Sequence, residues 1–355
     1  MDLYEALKRI TPADEAAKQA ACDHWNSLGK PLYSLGLLEE AVSRMAAIKG
    51  DWRVTADKPG LIIMCADNGV VAEGVSQVGQ DVTASVTKNF TTRGTSVAVM
   101  ADRAGVGLFP VDIGVNADLN CPGLINRKVA MGTKNMVNGP AMTLDEAKRA
   151  IEVGIDMVGD CAGRGYDILA TGEMGIGNTT TSSAVLSVLL NRPAEEMTGK
   201  GSGLTKAGME RKRNAIRRAI ELNRPNPKDA LDVLAKVGGL DIAGLCGVFL
   251  GGALYHIPIL IDGVISATAA LLAKQICPPA ADYMLASHCS KEPAGELVLK
   301  ALGLRAPLQA DMCLGEGTGA VAFLPVLQLA LTVYYEMGTY ADAHIDNYIE
   351  LEEKD

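Results

Sequence analysis

The pattern of hydrophobic and polar residues changes near residue 60. Before this point apolar residues recur at three- and four-residue intervals, which predicts helices over 3–9, 12–28 and 35–48. Beyond it, short apolar runs end in Gly, Asp or Glu clusters and alternate with helical segments. The runs cover 61–67, 107–114, 166–175 and 257–263, and the clearest helical segments are 143–160, 205–223 and 320–337. This alternation predicts a parallel α/β sheet whose ligands bind beyond the carboxyl ends of the strands.

The longest apolar stretch, 245–261, is broken by His256 and Pro258 and closed by Asp262. It is shorter than an uninterrupted membrane span of about 20 residues, so we interpret it as a buried helix followed by a buried strand. The first residues lack the basic-then-apolar order of a secretion signal. We therefore expect a cytoplasmic protein without a membrane partner.

Composition narrows the classes of partner. The net charge is -9 and only 4% of residues are aromatic, which disfavours nucleic acid as a partner. Eight cysteines occur without a Cys-x-x-Cys pair, as is typical of reduced, core-filling thiols. Four histidines lie far apart in the chain, so their spacing predicts no zinc site and we expect structural roles for them.

The segment GEMGIGNTTTSS (172–183) ends a predicted strand and begins a predicted helix. Its glycines let backbone N–H groups approach a ligand, and Asn178 and Thr179 offer a cap and donors, so the turn suits a phosphate. An ordinary Gly-rich turn is the alternative. Glu173 is harder to explain that way, because a carboxylate beside an anion site needs a sugar hydroxyl or a cation.

Two further glycine-rich segments are candidates. The loop 198–212, with Lys212 at its end, could close over a phosphate, although a solvated loop fits equally well. In LGEGTGA (314–320), Glu316 lies between two glycines near partly apolar residues, a setting that raises a carboxyl pKa and favours proton abstraction. A structural or cap role for Glu316 remains open.

The same segment formally fits a dinucleotide fingerprint, but almost no chain follows to form the second strand. Segments 64–76, 261–267 and 287–295 are further clusters at strand ends, and together these clusters predict a broad polar pocket. No P-loop lysine, nucleophile elbow or two-histidine zinc motif occurs, which disfavours covalent Ser or Cys catalysis.

Taken together, ordered segments across nearly the whole chain resemble the nicotinate-nucleotide:dimethylbenzimidazole phosphoribosyltransferase family. They are KPLYSLGLLE (30–39), CADNG (65–69), TTRGTS (91–96), GEMGIGNTT (172–180), NRPNPKDALDVLAKVGGLDIAG (223–244), LIDG (260–263), SHCS (287–290) and LGEGTGA (314–320).

The resemblance implies a large α/β domain with a Rossmann-like parallel sheet flanked by helices, and a small helical bundle built from both chain termini. The large domain would cover 28–280, continued by 303–320, and the small one 1–27, 288–302 and 321–347. It also implies a homodimer.

The resemblance further implies a reaction in which an aromatic base displaces nicotinate from C1′ of nicotinate mononucleotide. The product would be an α-ribotide such as α-ribazole 5′-phosphate, used in cobamide assembly, and neither cofactor nor metal is expected. Glu316 matches the catalytic base and Glu173 a second catalytic position near the ribose. Matched nucleotide-binding positions are Gly175, Asn178, Thr179, Gly201, Lys212, Asp262, Ser290 and Gly315, and matched base-binding positions are Val78, Val86, Met174 and Leu314.

The chain departs from the family pattern around the base. Asn68 replaces a His, and Val78 and Val86 replace a Ser and a Gln that would hydrogen-bond the ring. Apolar replacements leave ring nitrogens without partners, so the preferred base could be a benzimidazole, a substituted relative or a phenol. Two other functions stay open at this point: a non-catalytic nucleotide-binding partner subunit and a nicotinamide-dependent oxidoreductase.

Overall fold

The protein is built around one six-stranded sheet in which every pairing is parallel. The structure is a computed structural model that describes residues 1–201, 203–346 and 348. The strand order is β3-β2-β1-β4-β5-β6. The strands are β1 (Pro59–Ala66), β2 (Gly107–Gly114), β3 (Ile125–Asn126), β4 (Ile168–Met174), β5 (Ile259–Ile261) and β6 (Met284–Ala286). The predicted parallel α/β class is confirmed.

Helices cover both faces of this sheet. They are α1 (Leu3–Arg9), α2 (Glu15–Ser27), α3 (Leu37–Lys49), α4 (Asp81–Asn89), α5 (Ser96–Ala104), α6 (Leu144–Gly163), α7 (Asn178–Leu189), α8 (Ala194–Met197), α9 (Lys206–Asn223), α10 (Ala230–Val237), α11 (Leu240–Tyr255), α12 (Val264–Ile276), α13 (Gly295–Leu302) and α14 (Thr318–Glu336). Short 3-10 turns lie at Gly69–Glu73, Phe90–Thr92 and Pro278–Tyr283. The stretch 245–261 is a buried helix followed by a buried strand, as its sequence predicts.

The central strand β1 shows how the sheet forms two cores. Leu61 and Ile63 point to a cluster with α3, α5 and α14, whereas Ile62 and Met64 point to a cluster with α6, α10, α11 and α12. Because successive side chains of a strand alternate between faces, a run that is apolar throughout requires helices on both sides.

The two chain termini meet through α2 and α14. The ring centroids of Trp25 and Tyr334 are 4.8 Å apart, and the Gly29 N–H donates to the Gly338 carbonyl over 3.0 Å. The helices α1 and α13 instead belong to the cluster on the opposite face. The predicted division into two domains stays a prediction, and residue 347 of its small domain lies outside the described residues.

Helix α14 is long and apolar enough, by length and composition alone, to cross a membrane. However, 56% of its most apolar window is buried inside the protein. Since a buried core helix passes the same test, this helix by itself is weak support for a membrane span.

Candidate active site

A cleft of about 310 Å³ opens where β4, β5 and β6 end. It is lined by the turns after these strands, by part of the segment after β1 and by the loop before α14. Most of the predicted site residues line it: Val86, Glu173, Met174, Gly175, Asn178, Thr179, Gly201, Asp262, Ser290, Leu314, Gly315 and Glu316. The position agrees with the expected ligand site beyond the strand ends.

Glu316 lies in a turn with an unusual backbone. Gly315, Glu316 and Gly317 have φ angles of +88°, +62° and +97°, and for a residue with a side chain this left-handed region costs roughly 1 kcal/mol. The turn lies directly on the end of β4, because a Cβ on Gly172 would be only 2.4 Å from the Glu316 carbonyl oxygen. Strain and a close backbone contact thus fix the position of Glu316.

Asp262, at the end of β5, holds this turn and the start of α14. Its Oδ2 accepts a hydrogen bond from the Gly317 N–H over 3.1 Å, and its Oδ1 accepts from Gly319 and Ala320 over 2.8 and 3.0 Å. The side chain therefore caps a helix that begins far along the chain. A nucleotide contact by Asp262 stays a prediction, whereas its contact with the Glu316 turn is direct.

The carboxylate of Glu316 is partly buried beside the first turn of α5. Its Oε2 accepts a hydrogen bond from the Val97 N–H over 3.2 Å. Burial raises the pKa of Glu316, and the Val97 hydrogen bond opposes that rise. A carboxylate whose pKa moves towards neutrality is suited to accept a proton.

Glu173 belongs to a buried acidic cluster. The Asn178 side-chain amide donates to Glu173 Oε2 and, over 3.0 Å, to Asp241 Oδ2. Burial, with the nearby charge of Asp241, raises the pKa of Glu173 to about 8, and burial raises the pKa of Asp241 to about 7. Glu173 is therefore mostly protonated at neutral pH and can donate a hydrogen bond to a hydroxyl group.

Lys212 does not line the cleft but supports two residues that do. Its buried Nζ donates to Thr179 Oγ1 over 2.8 Å and to the Gly199 carbonyl over 3.2 Å, and it packs close to Gly201. Burial lowers its pKa to about 8. Residue 202, inside the predicted loop, lies outside the described residues.

Two residues near Ser290 differ in orientation. The Glu292 carboxylate reaches the glycine loop, where its Oε1 accepts from the Gly201 N–H over 3.2 Å, and the Glu292 N–H donates to Ser290 Oγ over 3.3 Å. In contrast, the Lys291 side chain is 61% exposed and lies 3.5 Å from Asp311. Only Glu292 of this pair therefore lines the cleft.

The predicted base-binding residues separate into two groups. Val86, Met174 and Leu314 line the cleft, whereas Val78 is 40% exposed and lies outside its lining. The chain contributes Val75 and Ser76 to the cleft, leaves it at Val78 and returns to it at Val86 in α4. Val78 therefore lies apart from the other three predicted base-binding residues.

Three residues that the sequence did not single out complete the site: Asp241, His288 and Glu292. His288 and Glu292 lie within the recognised cluster 287–295, and His288 packs so closely that a Cβ on Gly319 would be 1.8 Å from its Nδ1. Asp241 could have been noticed as an acid in the first turn of an otherwise apolar helix.

Two other kinds of site are not formed in the described part of the chain. Across residues 1–201, 203–346 and 348, no group of three His, Cys, Asp or Glu side chains is arranged to hold a metal ion. The Gly315-x-Gly317 turn leads into α14, and the described residues after α14 contain no strand. The dinucleotide fingerprint therefore lacks the strand-helix-strand unit that it requires.

Known proteins resemble this chain over nearly its whole length. A phosphoribosyltransferase family profile matches residues 10–345. Nicotinate-nucleotide–dimethylbenzimidazole phosphoribosyltransferase of Ruminiclostridium cellulolyticum is 48% identical over 352 residues, which cover 99% of this chain and 100% of that protein. The protein of the same name from Clostridium acetobutylicum is 47% identical over 348 residues, covering 98% and 99%.

A solved structure shows the same fold. The crystal structure of CobT from Thermus thermophilus has a TM-score of 0.89 and 38% identity, and the match covers 94% of this chain and 100% of that one. The sequence match and the structural match each extend over nearly the whole chain. The chain therefore belongs to the nicotinate-nucleotide–dimethylbenzimidazole phosphoribosyltransferase family.

Proposed function

We propose that the protein transfers the phosphoribosyl group of nicotinate mononucleotide to an aromatic base, releasing nicotinate and forming an α-ribotide such as α-ribazole 5′-phosphate. This product would supply the lower ligand in cobamide assembly. The supporting observation is that Glu316 and Glu173, two carboxyl groups in different environments, line one cleft together with glycine-rich turns.

In this reaction the bond between C1′ and the nicotinate nitrogen breaks while a bond from C1′ to the incoming base forms. Nicotinate leaves readily because its ring nitrogen carries a positive charge in the nucleotide. Glu316 takes the proton from the base as the new bond forms, which prevents a positive charge from developing on that base. The partial burial and raised pKa of Glu316 support this assignment.

Glu173 acts differently, as a neutral hydrogen-bond donor to a ribose hydroxyl. Its pKa of about 8 keeps it protonated under physiological conditions, and Asn178 holds its other oxygen. A fixed sugar also aligns C1′ with the attacking base, which is a large part of catalysis when two substrates must meet.

The phosphate lies near Gly175, Thr179, Gly201 and Ser290, which line the same cleft. Backbone N–H groups at the start of α7 suit an anion, and Lys212 provides positive charge behind Thr179. The base lies between Val86, Met174 and Leu314, so its edge meets apolar side chains. We therefore include substituted benzimidazoles and phenols among the candidate bases.

We also propose that the protein is a cytoplasmic homodimer. Apolar side chains are exposed on α14 and on its neighbour α5, with Leu329 67% exposed and Val99 50% exposed. An exposed apolar surface of this kind favours association with a second subunit. Sedimentation of the purified chain at several concentrations would test this proposal.

The central test is incubation with nicotinate mononucleotide and a panel of benzimidazoles, purines and phenols, followed by identification of the products. We expect release of nicotinate only when a base is present, together with one ribotide for each accepted base. Nucleotide binding without turnover for any base would contradict the proposal and favour a non-catalytic partner subunit. Strict preference for dimethylbenzimidazole would exclude the phenols.

A further inference from the structure

The Glu292 carboxylate occupies an unexpected position, inside the glycine loop that starts at Gly199. Its Oε1 accepts a hydrogen bond from the Gly201 N–H over 3.2 Å. A Cβ on Gly199 would lie 1.6 Å from Glu292 Oε2, so this oxygen takes space that a larger residue at position 199 would fill. The loop therefore surrounds an acidic side chain of the protein itself.

The surroundings of this carboxylate are those of an anion site. Lys212 is buried close by, and its charged form is favoured by the negative charge of Glu292. In the described part of the chain Lys212 forms no salt bridge, and its hydrogen bonds go to two neutral oxygens, Thr179 Oγ1 and the Gly199 carbonyl. Glu292 thus partly neutralises a buried cation without contacting it as an ion pair.

The groups around Glu292 are also the groups that would receive a phosphate. Gly201, Thr179 and Ser290 line the same cleft as Glu292, and they offer a backbone N–H and two hydroxyl groups. A phosphate and a carboxylate compete for such donors, and two negative charges within a few ångströms repel each other.

We propose that Glu292 occupies the phosphate subsite as an internal anion when no nucleotide is bound and that the nucleotide phosphate displaces it. This inference rests on the proposed function and adds a residue that discriminates between ligands. A phosphorylated ligand moves the carboxylate towards solvent and pairs with Lys212. A nucleoside without phosphate leaves the hydrogen bond from the Gly201 N–H to Glu292 in place. It gains no binding free energy at the phosphate subsite.

The test compares Glu292→Gln with the unchanged chain by calorimetry, using inorganic phosphate as the probe. Glutamine can still accept the Gly201 hydrogen bond but carries no charge, so we expect phosphate to bind roughly tenfold more tightly. Nicotinate riboside, which lacks the phosphate, should bind within about twofold of its original affinity, because a neutral ligand meets no charge repulsion. The matched control is Glu296→Gln, a glutamate in the next helix, which should leave phosphate affinity unchanged.

Unchanged or weaker phosphate binding in Glu292→Gln would overturn the inference, because Glu292 would then not compete with phosphate. An equal gain in affinity for nicotinate riboside would overturn it as well, since the effect would not depend on the phosphate. Turnover of nicotinate mononucleotide by the unchanged chain is measured separately. If Glu292→Gln does not bind phosphate more tightly while the unchanged chain turns over normally, only the role of Glu292 is refuted. If the unchanged chain shows no turnover, the proposed function is refuted.

Discussion

Two parts of the site differ in how they balance charge. The reaction end lies around Glu316 and Glu173, and the phosphate end lies around Gly201 and Lys212. At the reaction end, Glu173 and Asp241 are buried and share the Asn178 amide, and among the described residues neither forms a salt bridge. Burial raises the pKa of Glu173 to about 8 and that of Asp241 to about 7, so at neutral pH Glu173 holds a proton and Asp241 is partly ionised. At the phosphate end, a buried Lys212 faces the charge of Glu292. Both ends therefore hold groups with a pKa of about 7 or 8, but within the described part of the site only the second end presents a cation to an anionic ligand.

The largest effect is expected from Glu316→Gln at the reaction end. The change keeps the shape but removes the proton acceptor, so kcat/KM should fall by about 10²- to 10⁴-fold. Nucleotide affinity, measured by calorimetry, should change by less than about twofold because the phosphate end is untouched. Glu336→Gln, at the exposed far end of α14, is the control. A parallel loss of nucleotide affinity would show that the two ends do not act separately.

A somewhat smaller effect is expected from Lys212→Met at the phosphate end. Methionine fills a similar volume without charge, and loss of a charged partner should weaken nucleotide binding on the order of 10²-fold. Binding of nicotinate riboside should barely change. Lys206→Met, at an exposed position in the same helix, is the control. Equal weakening of riboside and nucleotide would place Lys212 outside phosphate recognition.

The third prediction concerns pH and tests Asp241→Asn. Burial raises the pKa of Glu173 most, and the negative charge of Asp241 raises it further, so a neutral residue at position 241 lowers that pKa. If protonated Glu173 is the active form, activity of the unchanged chain falls as pH rises past about 8. The variant should lose activity at a lower pH than the unchanged chain does.

The readout for Asp241→Asn is the pH profile of kcat/KM, with Asp145→Asn as an exposed control. If the variant were only less stable, its melting temperature would fall, but its kcat/KM would still decline at the same alkaline pH as in the unchanged chain. Such a result would contradict a role for Asp241 in setting the protonation of Glu173.

The smallest effect is expected at the base pocket. Val86→Gln adds a hydrogen-bonding group to the cleft and should raise the preference for benzimidazole over a phenol several-fold, since one net hydrogen bond contributes about 1 kcal/mol. Competition between the two bases measures the ratio directly. Val78→Ser should leave the ratio unchanged because Val78 lies outside the lining. The reverse result would mean that Val78 reaches the base and Val86 does not.

The sequence predicted the elements that carry a periodic signal. The run 107–114 is bounded by glycines and corresponds to β2 over the same residues, and the helix predicted over 205–223 begins one residue later as α9. Strands β3 and β6 have two and three residues, too few for any period to be visible. Local pattern was sufficient for long elements and insufficient for short ones.

The site was predictable to the extent that function is concentrated in glycine-framed motifs. Glu316 and Glu173 could be found in this way, because small residues around an acid are visible in one short segment. Asp241 shares the Asn178 amide with Glu173, and Asn178 lies 63 residues before Asp241. Glu292 enters a loop 91 residues before it. Such pairings arise from tertiary packing, which no local window contains.

The capping of α14 by Asp262 has a mechanical consequence. One carboxylate holds both the Glu316 turn and the first turn of a 19-residue helix, and the far end of that helix packs on Trp25. The helix and the Glu316 turn are thus anchored at one side chain. Replacing Asp262 would therefore disturb the position of Glu316 and the start of α14 together.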